Sequence, residues 1–394
     1  MPEPVLQPPV WSGPLRHEVL LPTGRLSLEV DRADWPWQRL CGFAARHNPR
    51  RGFLFVSKVL GKHWPSPPSE MAAAHEALAA PLPPPPTDRP ALFIGMAETA
   101  TGLGQGVFEA YLSRHGAGSA VYLQTTRCWL SGAQTLGFEE QHSHAQNLHL
   151  HWPQTAALRQ AFSEAPWVVL VDDELSTGQT FLSLVAAYRK VNPALQRVSV
   201  VSLTDFMGEA GRQRFKDQAP VEQVDFVSLL SGAYRFEPDP DFKATVPPSA
   251  QAAVGCRRAQ VGPFSARFGT DQALSLPPSV WDQVHAALPA AGPMLVLGTG
   301  EFMHPAYCVA RALAAQGRAV QVQSTTRSPI LLGADIRRRI ELEDPYGEGI
   351  PNYLYNVDPA EQTVLLCCEA QPSHALSDTV RRLGARLVAM GQLA

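Results

Sequence analysis

The stretch Val168-Val-Leu-Val-Asp-Asp-Glu-Leu-Ser-Thr-Gly-Gln-Thr180 decides both the predicted fold and the predicted site. Its four apolar residues predict a buried strand, and the small residues that follow predict a tight turn. A helix is then predicted from about Thr180 to Lys190. Strand, turn and helix in this order form the unit from which parallel α/β sheets are built.

The polar residues of this stretch suit a phosphorylated sugar. Backbone amides at a helix N-terminus can cradle a phosphate, hydroxyl groups add donors, and Gly178 allows close approach of the backbone. Asp172 and Asp173 precede the turn, where they can accept hydrogen bonds from ribose hydroxyls and favour positive charge on the ribose ring. A plain helix N-cap after a core strand is the alternative. The candidate ribose-phosphate residues are Glu174, Leu175, Ser176, Thr177, Gly178, Gln179 and Thr180.

The stretch resembles the phosphoribosyl pyrophosphate loop of type I phosphoribosyltransferases, except that Gln179 stands where Gly or Lys is commoner. The resemblance implies a site for phosphoribosyl pyrophosphate or a nucleotide, together with a base of unknown identity. It also implies Mg²⁺ as cofactor, held mainly through the ligand, with Asp172 and Asp173 as candidate protein ligands. Both acids are candidate catalytic residues.

A second loop follows the first strand of an alternating strand and helix pattern that begins at Ala91. Gly95 to Gly104 is rich in glycine and hydroxyl residues, which suits an anion, although an ordinary strand-to-helix turn has the same composition. The resemblance implies that this loop holds pyrophosphate. Two lysines of a basic N-terminal segment are a second anion contact, part of a base-recognition hood, or a charged strand end. The candidate pyrophosphate residues are Glu98, Thr99, Ala100, Thr101, Gly102, Lys58 and Lys62.

A long polar stretch from Cys128 to Trp152 follows the next strand and its Arg127. In type I phosphoribosyltransferases this place belongs to a mobile catalytic loop, so Arg127, His142 and His144 are candidate catalytic residues. A plain solvated loop is one alternative. A metal site is another, but no carboxylate or cysteine spacing completes a familiar zinc site.

The second half of the chain repeats part of the first. In the first half, a predicted strand is followed by Gly95-x-x-Glu98, a helix, a second strand and Thr125-Thr-Arg. The second half has the same order, with Gly298-x-x-Glu301 after its first strand and Thr325-Thr-Arg after its second. Since the carboxyl ends of parallel strands bind ligands in open α/β sheets, both ends are candidate sites. Convergence on a common strand-end composition is the alternative. The candidate residues of the second site are Gly298, Glu301, His304, Thr325, Thr326, Arg327 and Ser328.

The run Thr326-Arg-Ser-Pro329 resembles the signature of the TRSP domain. That domain follows a phosphoribosyltransferase-like domain in bacterial proteins associated with tellurite-resistance and stress gene clusters. The resemblance implies a role in making or modifying a nucleoside-like small molecule. The second domain is then a non-catalytic cap or support, or an independent enzyme. The polar loop from Asp344 to Tyr353 could close over its site.

The predicted fold is α/β, with a phosphoribosyltransferase-like, mostly parallel sheet flanked by helices and a second, smaller Rossmann-like α/β domain. Clustered prolines between Tyr234 and Gly262 place the boundary. We expect a first domain at 1–255, with an arm and hood at 1–90 and a core at 91–235, and a TRSP-type domain at 256–394.

Composition narrows the classes of function. The chain has 394 residues, 45% of them hydrophobic, and a formal net charge of −3, which argues against disorder and against nucleic-acid binding. The sequence has no signal peptide pattern and no apolar run of membrane-spanning length. We therefore expect a cytoplasmic protein without membrane contact, and a homodimer is a further expectation.

Two functions of different classes follow. The first is Mg²⁺-dependent transfer between phosphoribosyl pyrophosphate and a nitrogenous base, or the reverse pyrophosphorolysis. The second is a non-catalytic regulatory protein that binds a nucleotide or a ribose phosphate. Retention of both Asp172 and Asp173 favours the first, because a phosphate cradle alone does not require two acids.

Overall fold

The strand that carries the two aspartates lies inside a seven-stranded sheet, in the order β1-β2-β12-β11-β10-β5-β6. The computed structural model describes residues 15–48, 51–86, 88–139, 147–243, 256–258, 262, 264–369 and 373–391. The strands of the first unit are β1 (Leu15–Leu21), β2 (Gly24–Ala33), β3 (Cys41–Ala45), β4 (Phe53–Ser57), β5 (Ala91–Gly95), β6 (Ala120–Gln124), β7 (Cys128–Leu130), β8 (Thr135–Glu139), β9 (Asn147–His151), β10 (Trp167–Leu175), β11 (Arg197–Asp205) and β12 (Gln223–Pro238). Its helices are α1 (Trp37–Leu40), α2 (Pro68–Ala79), α3 (Thr101–His115), α4 (Ala156–Glu164), α5 (Gln179–Val191) and α6 (Gly208–Gln218).

Strand β10 is parallel to both of its neighbours, β5 and β11. Its residues Val168 to Val171 are at most 1% exposed, as expected for a parallel strand that is covered on both faces. Strands β5, β6, β11 and β12 continue the parallel part, whereas β1 and β2 join it as an antiparallel edge. The predicted mostly parallel sheet is confirmed.

The second unit contains a four-stranded parallel sheet in the order β15-β14-β18-β19. Its strands are β13 (Cys256–Arg258), β14 (Met294–Gly298), β15 (Val320–Ser324), β16 (Arg339–Leu342), β17 (Asn352–Tyr355), β18 (Thr363–Cys368) and β19 (Arg386–Ala389). Its helices are α7 (Pro278–Ala287), α8 (His304–Ala315) and α9 (His374–Leu383). Strand β13 pairs with β7 of the first unit, so the chain crosses between the two units there.

The two sheets share one connectivity. The order β15-β14-β18-β19 reproduces β6-β5-β10-β11, with α8 in the place of α3. The repeat read in the sequence therefore corresponds to two similarly connected sheets. The second sheet ends with four strands, whereas the first continues through β12 and the hairpin β1–β2.

One strand limit differs from the sequence-based prediction, and one predicted boundary is not tested by the structure. Strand β10 runs to Leu175 rather than ending at Val171, because it continues to pair with β11 up to Asp205. The predicted domain boundary at 255/256 adjoins residues 244–255, which are outside the described residues, and it stays a prediction. Within the described part of the chain, no helix is long and apolar enough to cross a membrane.

Candidate functional site

The two aspartates lie at the carboxyl end of β10 and are tied to each other and to the neighbouring loop. The backbone N–H of Asp173 donates to Asp172 Oδ1 at 2.9 Å, and Thr99 Oγ1 donates to Asp173 Oδ1 at 2.7 Å. Both carboxylates are half-buried. Thr99 therefore joins the predicted pyrophosphate loop to the predicted ribose site.

The turn between β10 and α5 consists of Ser176, Thr177 and Gly178. Gly178 has φ +72°, in the left-handed region that favours glycine, and a Cβ there would lie 2.8 Å from the ring of Phe215. Thr177 is exposed and its Oγ1 accepts from the backbone N–H of Gln179 at 3.4 Å. The turn thus leads into a helix N-terminus, the predicted phosphate position, while Leu175 lies within the strand. Ser176 and Thr180 are half-buried.

Two basic residues of the N-terminal segment, Arg51 and Lys58, form ion pairs with carboxylates. Arg51 forms an ion pair with Glu174, and its guanidinium carbon lies 4.8 Å from the centre of the Phe53 ring. Lys58 Nζ lies 3.5 Å from Asp335 of the second unit. Glu174 therefore binds Arg51, and Lys58, a predicted anion contact, is paired with a carboxylate.

Glu98, a predicted pyrophosphate residue, forms an ion pair with Lys62 at 3.2 Å. The Lys62 side chain is 0% exposed, and its Nζ also donates to the carbonyl oxygen of Gly300 at 2.7 Å. Burial alone would raise the pKa of Glu98, but Lys62, Arg327 and Arg127 lower it to about 2. Burial lowers the pKa of Lys62, and Glu98 opposes that change. The loop therefore carries its own negative charge, and Lys62 links it to the second unit.

The residues that follow Glu98 in this loop also contact the second unit. Thr101 Oγ1 donates to the carbonyl oxygen of Glu301 at 2.9 Å. A Cβ on Gly102 would lie 3.0 Å from Met303 Cβ, so a glycine allows the two helix N-termini to approach. Ala100 is fully buried. Thr101 and Gly102 therefore serve packing between the units, a role that the sequence did not indicate.

The loop after β6 is held by hydrogen bonds to its own unit and by a carboxylate from the other. Thr125 Oγ1 accepts from the Ala97 backbone N–H at 2.8 Å. The N–H of Arg127 donates to Glu301 Oε1 at 2.9 Å, and Thr126 Oγ1 donates to Glu301 Oε2 at 2.6 Å. Both donors are of the kind that would bind an anion. The predicted partners His142 and His144 lie outside the described residues.

The loop after β15 repeats this arrangement. Thr325 Oγ1 accepts from the Gly300 N–H at 3.0 Å, as Thr125 does from Ala97. The N–H of Arg327 donates to Glu98 Oε1 at 3.4 Å. Each unit therefore inserts the glutamate of its Gly-x-x-Glu loop into the Thr-Thr-Arg loop of the other. The sequence predicted the two loops, but not that their glutamates would be exchanged.

The other predicted residues of the second site are engaged locally. The side chain of Arg327 pairs with Glu348, and the Ser328 N–H donates to Thr326 Oγ1 at 3.2 Å. Gly298 is buried against the backbone of Phe302, whose carbonyl oxygen would lie 2.4 Å from an added Cβ. In the polar loop from Asp344 to Tyr353, Tyr346 Oη lies 2.6 Å from Thr299 Oγ1, and closure of this loop over a ligand stays a prediction.

A buried arginine neutralises the acids of the second unit. Arg267 is 1% exposed and lies 3.1 Å from Glu301 and 2.9 Å from Glu369. Glu369 follows β18, the strand that corresponds to β10, so it lies where the first unit has its two aspartates. No sequence pattern singled out Arg267, because its partners are 34 and 102 residues away along the chain.

His304 was a candidate residue of the second site, and it contacts a helix of the first unit. His304 Nε2 lies 2.7 Å from Glu109 Oε1 of α3, and the residue is 2% exposed. Burial lowers the pKa of His304, but Cys308 and Glu109 raise it more, to about 10. The structure thus separates His304 from the glutamate and threonine contacts of the second loop.

Two parts of the chain match known protein families. Residues 40–233 match a family described as phosphoribosyl transferase, and residues 265–383 match the TRSP domain, described as lying C-terminal to that domain. No curated protein matches the chain.

Solved structures similar to this chain are phosphoribosyltransferases. The adenine phosphoribosyltransferase of Rhodothermus marinus is 19% identical, with a TM-score of 0.33, over 49% of this chain and 96% of that one. The enzyme of Trypanosoma brucei, in complex with AMP, pyrophosphate and ribose-5-phosphate, is 14% identical, with a TM-score of 0.34, over 49% and 78%. The orotate phosphoribosyltransferase of Mycobacterium tuberculosis is 13% identical, with a TM-score of 0.27, over 49% and 91%. These similarities carry no argument about a substrate.

Proposed function

Because residues 40–233 match the phosphoribosyl transferase family and residues 265–383 match the TRSP domain that follows it, we propose that the chain is a Mg²⁺-dependent phosphoribosyltransferase. It would transfer the phosphoribosyl group between pyrophosphate and a nitrogenous base, in either direction. The observation that carries the proposal is the pair Asp172 and Asp173 at the end of β10, directly before the left-handed Gly178 and the N-terminus of α5.

The ribose 5-phosphate would lie along this strand end. Its phosphate would accept hydrogen bonds from the turn amides at the N-terminus of α5, assisted by the hydroxyl groups of Ser176, Thr177 and Thr180. The two aspartates would accept hydrogen bonds from the ribose hydroxyls. Thr99, which donates to Asp173 at 2.7 Å, supports this arrangement because it fixes one carboxylate relative to the next loop.

Pyrophosphate would lie beside the loop from Gly95 to Gly104. We assign its contacts to loop amides and to Arg127, rather than to the Glu98 carboxylate, which is negatively charged and paired with Lys62. His142 and His144 remain proposed members of the lid that excludes water. Arg127 would stabilise negative charge on the leaving group.

The residues present fit a magnesium ion. Asp172 and Asp173 supply half-buried carboxylate oxygens, the ligand type that Mg²⁺ prefers, next to the predicted phosphate position. When bound, the ion would neutralise charge on the phosphate groups. We therefore propose that these two aspartates hold it together with the ligand.

The reaction needs no covalent intermediate with the protein. The bond from ribose C1 to pyrophosphate breaks with its electron pair on pyrophosphate, and a nitrogen of the base bonds to C1 and releases its proton. Positive charge develops on the ribose ring as the bond breaks. Asp172 and Asp173 would stabilise that charge, so catalysis would rest on positioning and electrostatics.

The C-terminal domain would act as a non-catalytic cap. Glu301 and Glu369, the acids nearest its strand ends, are paired with the buried Arg267, which leaves them poorly suited to acid–base work. A role in tellurite resistance or stress belongs to this proposal through the TRSP resemblance alone.

A regulatory protein that binds nucleotides without turnover is the second candidate. It is favoured by Glu301, whose carboxylate already occupies the Arg127 N–H and the Thr126 hydroxyl. An anion would have to compete for these two donors. Binding without turnover on a wide panel of bases would support this candidate.

The experiment is a turnover screen with phosphoribosyl pyrophosphate, Mg²⁺ and a panel of nitrogenous bases, read as pyrophosphate released. Asp173→Asn should lower turnover by about 100-fold or more, since the change removes charge stabilisation at the reacting ring. Asp217→Asn, the same change at an exposed position of α6, is the matched control and should be as active as the wild type. Full activity in a folded Asp173→Asn variant would contradict the proposal.

A further inference from the structure

A buried cluster of three metal-binding residue types lies where α3 meets α8. Glu109 belongs to α3, whereas His304 and Cys308 belong to α8. One ligand atom from each residue lies within 4.8 Å of the other two. The three residues are 6%, 2% and 7% exposed, respectively, so the cluster is shielded from solvent.

The spacing explains why the three side chains meet. His304 and Cys308 are four residues apart on one helix, which places them on the same face. That face is turned toward α3, because His304 Nε2 lies 2.7 Å from Glu109 Oε1. The cluster is therefore built from both domains, and neither domain could form it alone.

The ligand set favours a zinc-type ion. Imidazole nitrogen, thiolate sulfur and carboxylate oxygen are the donors that bind Zn²⁺, whereas Mg²⁺ and Ca²⁺ require oxygen ligands. One thiolate, one carboxylate and a neutral imidazole balance a divalent cation. Such balance matters here, since an uncompensated charge inside a protein is costly.

Two unpartnered imidazole nitrogens lie in this region. His304 Nδ1 and His75 Nε2 are buried and have no hydrogen-bond partner among the described residues. The ring centres of His75 and His304 lie 5.1 and 5.6 Å from that of Tyr307. Buried polar atoms in native proteins normally have a partner, so two such atoms beside the cluster are consistent with an absent ligand.

Two further groups contact Glu109 at the cluster. Glu109 Oε1 also accepts from the Leu274 backbone N–H at 2.8 Å, and Arg311 lies 3.8 Å from Glu109 Oε2. Arg311 is half exposed and at the far limit of an ion pair, so it can remain with water or with Oε2.

We propose that Glu109, His304 and Cys308 bind a zinc-type transition metal ion that fastens α3 of the phosphoribosyl transferase domain to α8 of the TRSP domain. Water would supply the fourth ligand of a tetrahedral ion. The site is separate from the proposed phosphoribosyl site and does not depend on that assignment.

Metal content of the full chain tests the proposal. Protein purified without a histidine tag, loaded with Zn²⁺ and desalted, should retain about one zinc per chain by mass spectrometry. Cys308→Ser should lose most of that zinc. Cys41→Ser is the matched control, because Cys41 is an equally buried free cysteine outside the cluster, and this variant should retain the metal.

Cobalt provides a readout that does not depend on a variant folding. Co²⁺ added to the wild-type chain should give the near-ultraviolet absorption of a thiolate-to-cobalt bond, with saturation at about one equivalent. Retained zinc and this absorption together would support the site. A wild-type chain that retains no zinc and shows no thiolate–cobalt absorption would overturn the proposal. Zinc retained equally by Cys308→Ser would also overturn it.

Discussion

The carboxylate of Glu301 accepts a hydrogen bond from the backbone N–H of Arg127 at 2.9 Å, and Glu98 makes the corresponding contact with Arg327 at 3.4 Å. This exchange joins two sheets of the same connectivity at their carboxyl strand ends. The TRSP domain therefore borders the loops from which the phosphoribosyl site would be built. Changes at the exchanged glutamates should affect both domains together.

Glu301→Gln should destabilise the whole chain. The glutamate accepts from two donors of the first unit and pairs with the buried Arg267, which would lose this carboxylate while keeping that of Glu369. Loss of hydrogen bonds to a charged group costs about 1.5–3 kcal/mol each, so we expect a loss of roughly that size in the free energy of unfolding. Urea unfolding measures it. Glu361→Gln, at an exposed position, is the control, and equal stability of the two variants would contradict the role of Glu301.

Gly178→Ala should destabilise the protein and weaken binding at the proposed phosphate turn. The left-handed backbone costs a non-glycine residue about 1–2 kcal/mol, and the new Cβ would meet Phe215 at 2.8 Å. Gly132→Ala is a matched control, because Gly132 has φ +78° and nothing within 4 Å of an added Cβ. Equal losses in the two variants would mean that the contact with Phe215 has no role.

The free energy of unfolding should fall in acid because Glu98 becomes protonated there. Its pKa is lowered from 4.5 to about 2 in the folded chain, so its contribution is present above the unfolded value and is lost as the pH falls from about 4.5 toward 2. The shift corresponds to the order of 3 kcal/mol. The free energy of unfolding of the wild type should therefore exceed that of Glu98→Gln at neutral pH, and the difference should shrink as the pH falls from about 4.5 toward 2. A difference that stays constant over this range would exclude Glu98 as the titrating group.

The parts of the fold that follow local patterns could be predicted from the sequence. Strand β10, the turn at Gly178 and the start of α5 were recognised because their apolar run, glycine and hydroxyl residues are contiguous. The repeated Gly-x-x-Glu and Thr-Thr-Arg segments likewise indicated two related sheets. The strand limits differed by a few residues, because pairing partners such as Asp205 extend β10 beyond its apolar part.

Contacts between distant residues could not be predicted in this way. Lys62 and Glu98 belong to loops whose patterns indicate anion binding. Only the structure shows that the two residues form an ion pair with each other. Arg267 lies outside every recognised motif, yet it holds two glutamates. His304 was singled out for its position after a glycine turn, but the helix face on which it lies directs it to Glu109. The hydrophobic periodicity of a helix indicates which face is buried, but it does not indicate which residue that face contacts.

Calorimetric titration of phosphoribosyl pyrophosphate with Mg²⁺ tests the central claim most directly. The wild type should bind, and Asp172→Asn/Asp173→Asn should bind at least about tenfold more weakly, a loss of about 1.4 kcal/mol or more. The exposed Asp217→Asn variant should bind as the wild type does. A wild-type chain that binds neither phosphoribosyl pyrophosphate, ribose 5-phosphate nor a nucleotide would contradict the proposed site.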